Sequence, residues 1–370
     1  MLFQLKELFL VYLILQDYIN RRSILETFED VIGNSETFRE VLTQRQKDAG
    51  SLVCVGLDFV EEKIPECIKG RNNESRMITW ITDIIDATAP YASMYKPQWA
   101  YYESLPYGRR VLQRIVKYIQ RKHPNIVDFL DCKDGDIDRT QLRYGISHFM
   151  LDKMRGMNFN PYMGSETMEF LAKVDADRKR AIVGLCFTSN KSARETQNVL
   201  LPSGKMYYEF IAECILRWTQ DFQCPSAGLV MAAAYEFPKG SGIISYQHLV
   251  NIRNIVGNKL WFLIPGIGTQ GGAIEDTVKY GWAGYGSMAI NSSSDIDFAS
   301  SGPDYAEAAA KKAKALRDQI NEALVELGVI VWPVWGRNFY PHYMRPEDTI
   351  QRSIKKECVL VGWLVMLGNM

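Results

Sequence analysis

Between residues 36 and 330 the chain repeats one pattern eight times, a short β-rich apolar run followed by a helix-like amphipathic stretch. The runs are Leu52–Leu57, Ser93–Lys96, Ile126–Cys132, Met157–Asn160, Ala181–Phe187, Ala227–Ala232, Leu260–Ile264 and Gly286–Ile290. Alternation of this kind specifies a parallel sheet with helices on its outer face, and eight repeats are the number that closes such a sheet on itself. The expected class is therefore α/β, a (β/α)8 TIM barrel. Two helices can be read directly. TFREVLTQRQKDAG precedes the first run and stops at Gly50, and SETMEFLAKVDADRKR follows Gly164 with Ser165 as N-cap and Glu166 in the first turn.

The barrel, 36–330, is flanked by two extensions. Residues 1–35 open with MLFQLKELFLVYLILQ, where Lys6 and Glu7 interrupt the apolar character and Leu8 to Leu15 is the longest clean run. A spanning helix needs about 20 apolar residues, so a docked amphipathic helix is expected and no membrane anchor. No basic region precedes the run and no small-residue cleavage site follows it, so it does not read as a signal peptide. Residues 331–370 lose the alternation, carry Pro333, Pro341 and Pro346, and form a C-terminal appendage of unknown role.

Composition narrows the function. The chain of 370 residues has 43 Lys+Arg against 43 Asp+Glu, so the long-range attraction that gives nucleic-acid binders their affinity is missing, and nucleic acid is not an expected partner. The seven cysteines are scattered and odd in number, which fits a reducing, cytoplasmic compartment. The four histidines lie far apart with no HxxxH or Cys/His pairing, so no metal site is expected.

In a barrel of this kind the chemistry sits at the C-terminal ends of the strands. The polar residues there are Asp58, Lys96, Asp131 with Lys133, Asn160, and Thr188 with Ser189. Asp131 and Lys133 are two apart, so period-two geometry directs both into the mouth, while Asp136 follows in a loop that can reach the rim or a neighbouring subunit. Alternating ammonium and carboxylate groups in one cleft hold a lysine charged as a proton donor and crowd any anion brought beside the carboxylate. After the seventh run, PGIGTQGG (Pro265 to Gly272) offers glycine-rich backbone amides where barrel enzymes bind phosphate.

These residues resemble orotidine 5′-phosphate decarboxylase, in the longer bacterial-type branch of that family. SLVCVGLD, MYKPQWAYYE, DCKDGDIDRT, NFNPYMGSE, TSN, GLVMAAAY, LIPGIGTQGG and INSS occur in the expected order. The resemblance implies a homodimer converting orotidine 5′-monophosphate to UMP and CO2 in pyrimidine biosynthesis, without metal or organic cofactor. It implies that Lys133 protonates C6, that Asp131 opposes the substrate carboxylate, and that Lys96 orders the charges and touches the ribose. Asp136 and Thr140 would cross the subunit interface. Asp58 would hold ribose hydroxyls, Ser189 the pyrimidine, and Pro265, Gly266, Gly268, Gln270 and Gly271 the phosphate.

The chain departs from the family where Asn-Ser-Ser-Arg is usual. It reads Asn291-Ser292-Ser293-Ser294-Asp295, with no arginine between Arg253 and Arg317, so a bidentate phosphate contact is lost and Asp295 would repel a dianion. AAAY stands for a glycine-containing motif, and Phe59 for a proline. Two other readings stand beside the decarboxylase: a catalytically impaired nucleotide-binding paralogue, suggested by the missing arginine, or a sugar-phosphate enzyme of the same barrel group, suggested by the shared DxKxxD pattern. Cys132 should point outward toward the helices as a buried thiol. Trp99, Tyr101 and Tyr102 read as helix or interface packing, and His148 and His248 as helix residues.

Overall fold

The computed structural model describes residues 36–237, 240–267 and 272–329. The extensions expected over 1–35 and 331–370 lie outside them, as do Gly268, Gln270 and Gly271.

All eight expected runs are strands: β1 (Val53–Leu57), β2 (Met94–Pro97), β3 (Val127–Asp128 and Leu130–Asp134), β4 (Gly156–Phe159), β5 (Ala181–Phe187), β6 (Gly228–Met231), β7 (Trp261–Ile264) and β8 (Met288–Ser292). Neighbours pair in parallel throughout. The hydrogen-bonded order begins at one half of β3, runs through β2, β1, β8, β7, β6, β5 and β4, and ends at the other half. Only Phe129 separates the halves, and a parallel bridge from Gln98 to Asp131 spans the seam. The sheet thus returns to its own starting strand, which is a (β/α)8 barrel.

Strand alternation sorts the core into two layers. Cys54, Met94, Phe129, Ala181, Val183, Val230, Trp261, Leu263 and Ala289 fill the interior, whereas Val53, Val55, Ile182, Phe262 and Ile264 face the helices. The helix Phe38–Ala49 closes one end of the barrel. Phe38 stacks on Trp261 with ring centres 5.6 Å apart, and Leu42 joins the same interior cluster. The helix starts where expected because Thr37 and Glu40 form a reciprocal capping box, a contribution of about 1 kcal/mol. It ends at Gly50.

Ser165 does not cap. Its backbone is already helical ahead of Glu166–Val174 and its side chain makes no cap bond; Thr167 Oγ1 instead donates to the Gly164 carbonyl over 2.7 Å. One glycine is dictated by proximity: a Cβ on Gly56 in β1 would lie 1.9 Å from Ser293 Oγ, so the ends of β1 and β8 approach only because no side chain intervenes. Beyond β6 a small antiparallel sheet places Ala234–Glu236 between Ile244–Ser245 and Gly272–Ala273. Among the described residues, no helix is long and apolar enough to cross a membrane.

Candidate active site

The C-terminal ends of β1, β2 and β3 bring four charged groups into a row. Lys96, at the end of β2 and 2 % exposed, lies 3.1 Å from Asp131 Oδ2 and 3.9 Å from Asp58 Oδ1. Asp131 Oδ1 accepts from the Lys133 ammonium, which occupies the solvent side of the row. The sequence Asp58, Lys96, Asp131, Lys133 alternates in sign, so each charge is flanked by its opposite in a poorly solvated place. Burial favours the neutral amine at Lys96, but Asp58 and Asp131 outweigh it and hold its pKa above the ordinary lysine range. Burial likewise favours the neutral acid at Asp131. The charges of Lys96 and Lys133, with hydrogen bonds from Lys133 and Asn158, outweigh that and hold its pKa well below the carboxylate range.

Asp131 and Lys133 meet, although not through a regular pleat. The β3–β4 register shifts between Leu130 and Asp134, and Lys133 takes φ +59°, a left-handed conformation that costs a non-glycine residue about 1 kcal/mol or more. Asn158 on β4 holds this bulge. Its Oδ1 accepts the amide N–H groups of Cys132 (2.9 Å) and Lys133 (2.7 Å), and its Nδ2 donates to Asp131 Oδ1 at 2.7 Å. The sequence reading missed Asn158; a polar residue inside the four-residue strand GMNF was the available signal.

Two further polar groups complete this side. Asp297, in the short helix Ser294–Asp297 after β8, accepts the Asp58 amide at 3.1 Å and is 1 % exposed. Burial, then repulsion from Asp58, pushes its pKa well above the carboxylate range. Asp58 Oδ1 is buried with no hydrogen-bond donor among the described residues, as is Asp297 Oδ1. Buried acceptors of this kind are ordinarily satisfied by a donor such as a hydroxyl or a water.

The remaining expected residues are spread around the rim. Asp136 stands apart from the row: its amide donates to Gln141 Oε1, its carboxylate accepts the Ile137 amide, and it makes no ion pair among the described residues. Thr140 and Ser189 are exposed. Pro265 and Gly266 follow β7, the Pro265 carbonyl accepting the Ala233 amide at 3.4 Å and Gly266 taking φ +97°. Arg253 does not serve the mouth, because its guanidinium donates to the carbonyls of Gly257, Leu260, Gly281 and Ser287.

Tyr102 is buried and donates to the Leu57 carbonyl (2.8 Å), while Tyr101 is exposed, consistent with packing roles. His248 is a buried helix residue bonded to the Ala232 carbonyl; burial lowers its pKa to about 4. His148 lies in the helical segment Ile146–Leu151, but it is more than a packing residue. Its Nε2 lies 2.9 Å from Asp134 and its Nδ1 3.2 Å from Asp152, and the Cys132 sulfur is close by. The sequence carries no Cys/His spacing motif, yet the chain after β3 folds His148 back beside Cys132 and Asp134, 16 and 14 positions earlier.

Comparison with known proteins identifies the family. The family model for orotidine 5′-phosphate decarboxylase / HUMPS matches residues 51–310. Orotidine 5′-phosphate decarboxylase of Cupriavidus taiwanensis is 37% identical over 288 residues, covering 77% of this chain and 98% of that protein. The Bordetella pertussis enzyme of the same name is 34% identical over 288 residues with the same coverage. The solved structure of Leishmania donovani OMP decarboxylase superposes with a TM-score of 0.60 at 26% identity, covering 76% of this chain and 99% of that one. With the barrel, the charged row and a match over most of its length, the chain belongs to the orotidine 5′-phosphate decarboxylase / HUMPS family.

Proposed function

We propose that the chain decarboxylates orotidine 5′-monophosphate to UMP and CO2, the UMP-forming step of pyrimidine biosynthesis. The observation that carries this reading is the Asp58, Lys96, Asp131, Lys133 row, with Lys133 at its accessible end. A substrate carboxylate beside Asp131 is repelled. As the C6–carboxylate bond breaks, CO2 leaves uncharged and the electron pair stays on C6, where the Lys133 ammonium stabilises it and then delivers its proton. Repulsion in the ground state and attraction in the transition state both lower the barrier. The acid and the electrostatic field are side chains, so the reaction needs no cofactor.

The other assignments follow from position. Asp58 Oδ1, ion-paired with Lys96 but accepting no hydrogen bond among the described residues, suits a ribose hydroxyl. Ser189 stands at the rim for the pyrimidine, and Pro265, Gly266, Gly268, Gln270 and Gly271 supply the phosphate loop. Asp136 does not reach its own row and lies beside exposed Ile137 and Thr140, which supports a homodimer in which Asp136 and Thr140 complete the partner's site. Six described cysteines are free thiols, in keeping with cytoplasmic work.

The test is the loss of orotidine monophosphate absorbance on adding purified protein without metal, at low and high substrate. Saturable turnover is expected. No turnover by a folded sample would sink the reading and favour the second one, a nucleotide-binding paralogue without catalysis. Ser294 and Asp295 in place of the phosphate arginine support that alternative, and calorimetry with UMP would then show binding alone.

A further inference from the structure

Behind the charged row, on the face of β3 turned toward the helices, three ligand-type side chains converge. Cys132 Sγ, an Asp134 carboxylate oxygen and a His148 ring nitrogen all lie within 4.8 Å of one another. The spacing is compatible with ligands sharing one ion, since metal bonds of about 2.0–2.3 Å to N, O and S put tetrahedral partners some 3–4 Å apart. The Nε2 of His148 and the Asp134 carboxylate, now 2.9 Å apart, need open only slightly to admit a cation between them.

The surroundings are those of a built site. The far nitrogen of His148 is bonded to Asp152, and Asp152 is itself clamped by Arg109 at 2.9 and 3.0 Å and by Gln113 at 3.0 Å. A carboxylate on the second nitrogen is the arrangement that fixes the ring and raises its basicity in metal centres. His148 and Asp152 are buried, whereas the Asp134 side chain is 13% exposed and marks the entry path. A set of one thiolate, one imidazole and one carboxylate, with a fourth position left to water, suits Zn²⁺ and not Mg²⁺ or Ca²⁺.

We propose that Cys132, Asp134 and His148 bind a zinc-class divalent ion, and that the ion acts as a reversible inhibitor. Cys132 and Asp134 are the two neighbours of Lys133. In the metal-free arrangement Cys132 Sγ donates to the Asn158 carbonyl (3.2 Å), while the Asn158 side chain holds the Cys132 and Lys133 amides. Binding transfers the thiol proton to solvent and turns the sulfur toward the metal, which breaks that bond and shifts the backbone that aims Lys133. The inhibitory half rests on the decarboxylase reading; the binding half does not.

The experiment is titration of the metal-free full chain with Co²⁺, following the near-ultraviolet thiolate-to-cobalt charge-transfer band. One equivalent should develop the band, and Zn²⁺ should bleach it. Cys132→Ser should abolish it, and Asp134→Asn, which keeps an acceptor for His148, should retain it with affinity lowered at least about tenfold. Absence of the band, or its survival in Cys132→Ser, overturns the site. With turnover measured in parallel, saturating Zn²⁺ should lower wild-type kcat severalfold and leave kcat of Cys132→Ser insensitive to zinc. A bound ion that leaves wild-type kcat unchanged overturns the inhibitory role alone, and a chain with no turnover still reports the binding.

Discussion

The two sides of the barrel mouth are built differently. On the β1 to β4 side the four charges of the row are tied together: Lys96 to Asp58 and Asp131, and Lys133 to Asp131, with Asn158 bonded to both Asp131 and the Lys133 backbone. On the β7 and β8 side, Asn291 and Ser292 are buried strand-end residues, Ser294 and Asp295 stand where the family carries an arginine, and Arg253 is held by four carbonyls elsewhere. The difference teaches which half tolerates change. Deleting a buried member of the row, Lys96 or Asp131, leaves its partner uncompensated, typically about 3–5 kcal/mol, whereas a phosphate can be held at a solvated rim by amides as well as by a guanidinium. Under the proposed reading, the half assigned the chemistry is interlocked and the half assigned the phosphate is replaceable.

The harshest way to break the comparison is Lys133→Ala. Turnover should fall at least about 10³-fold with the melting temperature little changed, because the side chain is 42% exposed. Turnover within tenfold of wild type would remove Lys133 as the acid. Next comes Asn158→Ala, which strips the acceptor from two amides and a donor from Asp131; we expect kcat to fall about 10²-fold and stability by about 1–3 kcal/mol. Unchanged kcat alongside a lowered melting temperature would make Asn158 a structural residue only.

Ser294→Arg sharpens the comparison from the other side. A restored guanidinium should lower KM about tenfold and leave kcat near wild type, since it adds one charge-assisted contact remote from C6. If KM does not move, the loop amides already satisfy the phosphate.

The smallest effect concerns pH. Asp297 has its pKa raised in the folded state, so folding binds a proton more readily than unfolding does: its stabilising share is present below the unfolded carboxylate range and is lost as pH rises through the folded pKa. Asp297→Asn should therefore raise the melting temperature at neutral pH, with the advantage vanishing near pH 4. A constant difference across that span would mean Asp297 is already ionised when folded. Asp131, with its pKa depressed, has the opposite sign, and its contribution is lost only on acidification below the ordinary carboxylate range.

Much of this was legible in the chain. The eight runs announced themselves because strands buried on both faces must be apolar throughout, and each became a strand within one or two residues of its expected ends. Asp58, Lys96, Asp131 and Lys133 were legible because barrel chemistry gathers at strand ends. Asn158 was overlooked because one buried asparagine inside a strand is indistinguishable by pattern from a structural polar residue. Ser165 was misread because composition alone does not reveal that its backbone had already entered the helix.

The sequence by itself determined the strand count, the parallel order and the identity of the charged groups, because periodicity and residue type are local properties of a chain. Tertiary structure alone decided how those groups meet. The bulge at Lys133, the three-way grip of Asn158 and the convergence of His148 on Cys132 and Asp134 arise from register between neighbouring strands and from a helix packed back over β3. Such contacts join residues through space, and their energies depend on burial and distance, which no window along the sequence contains.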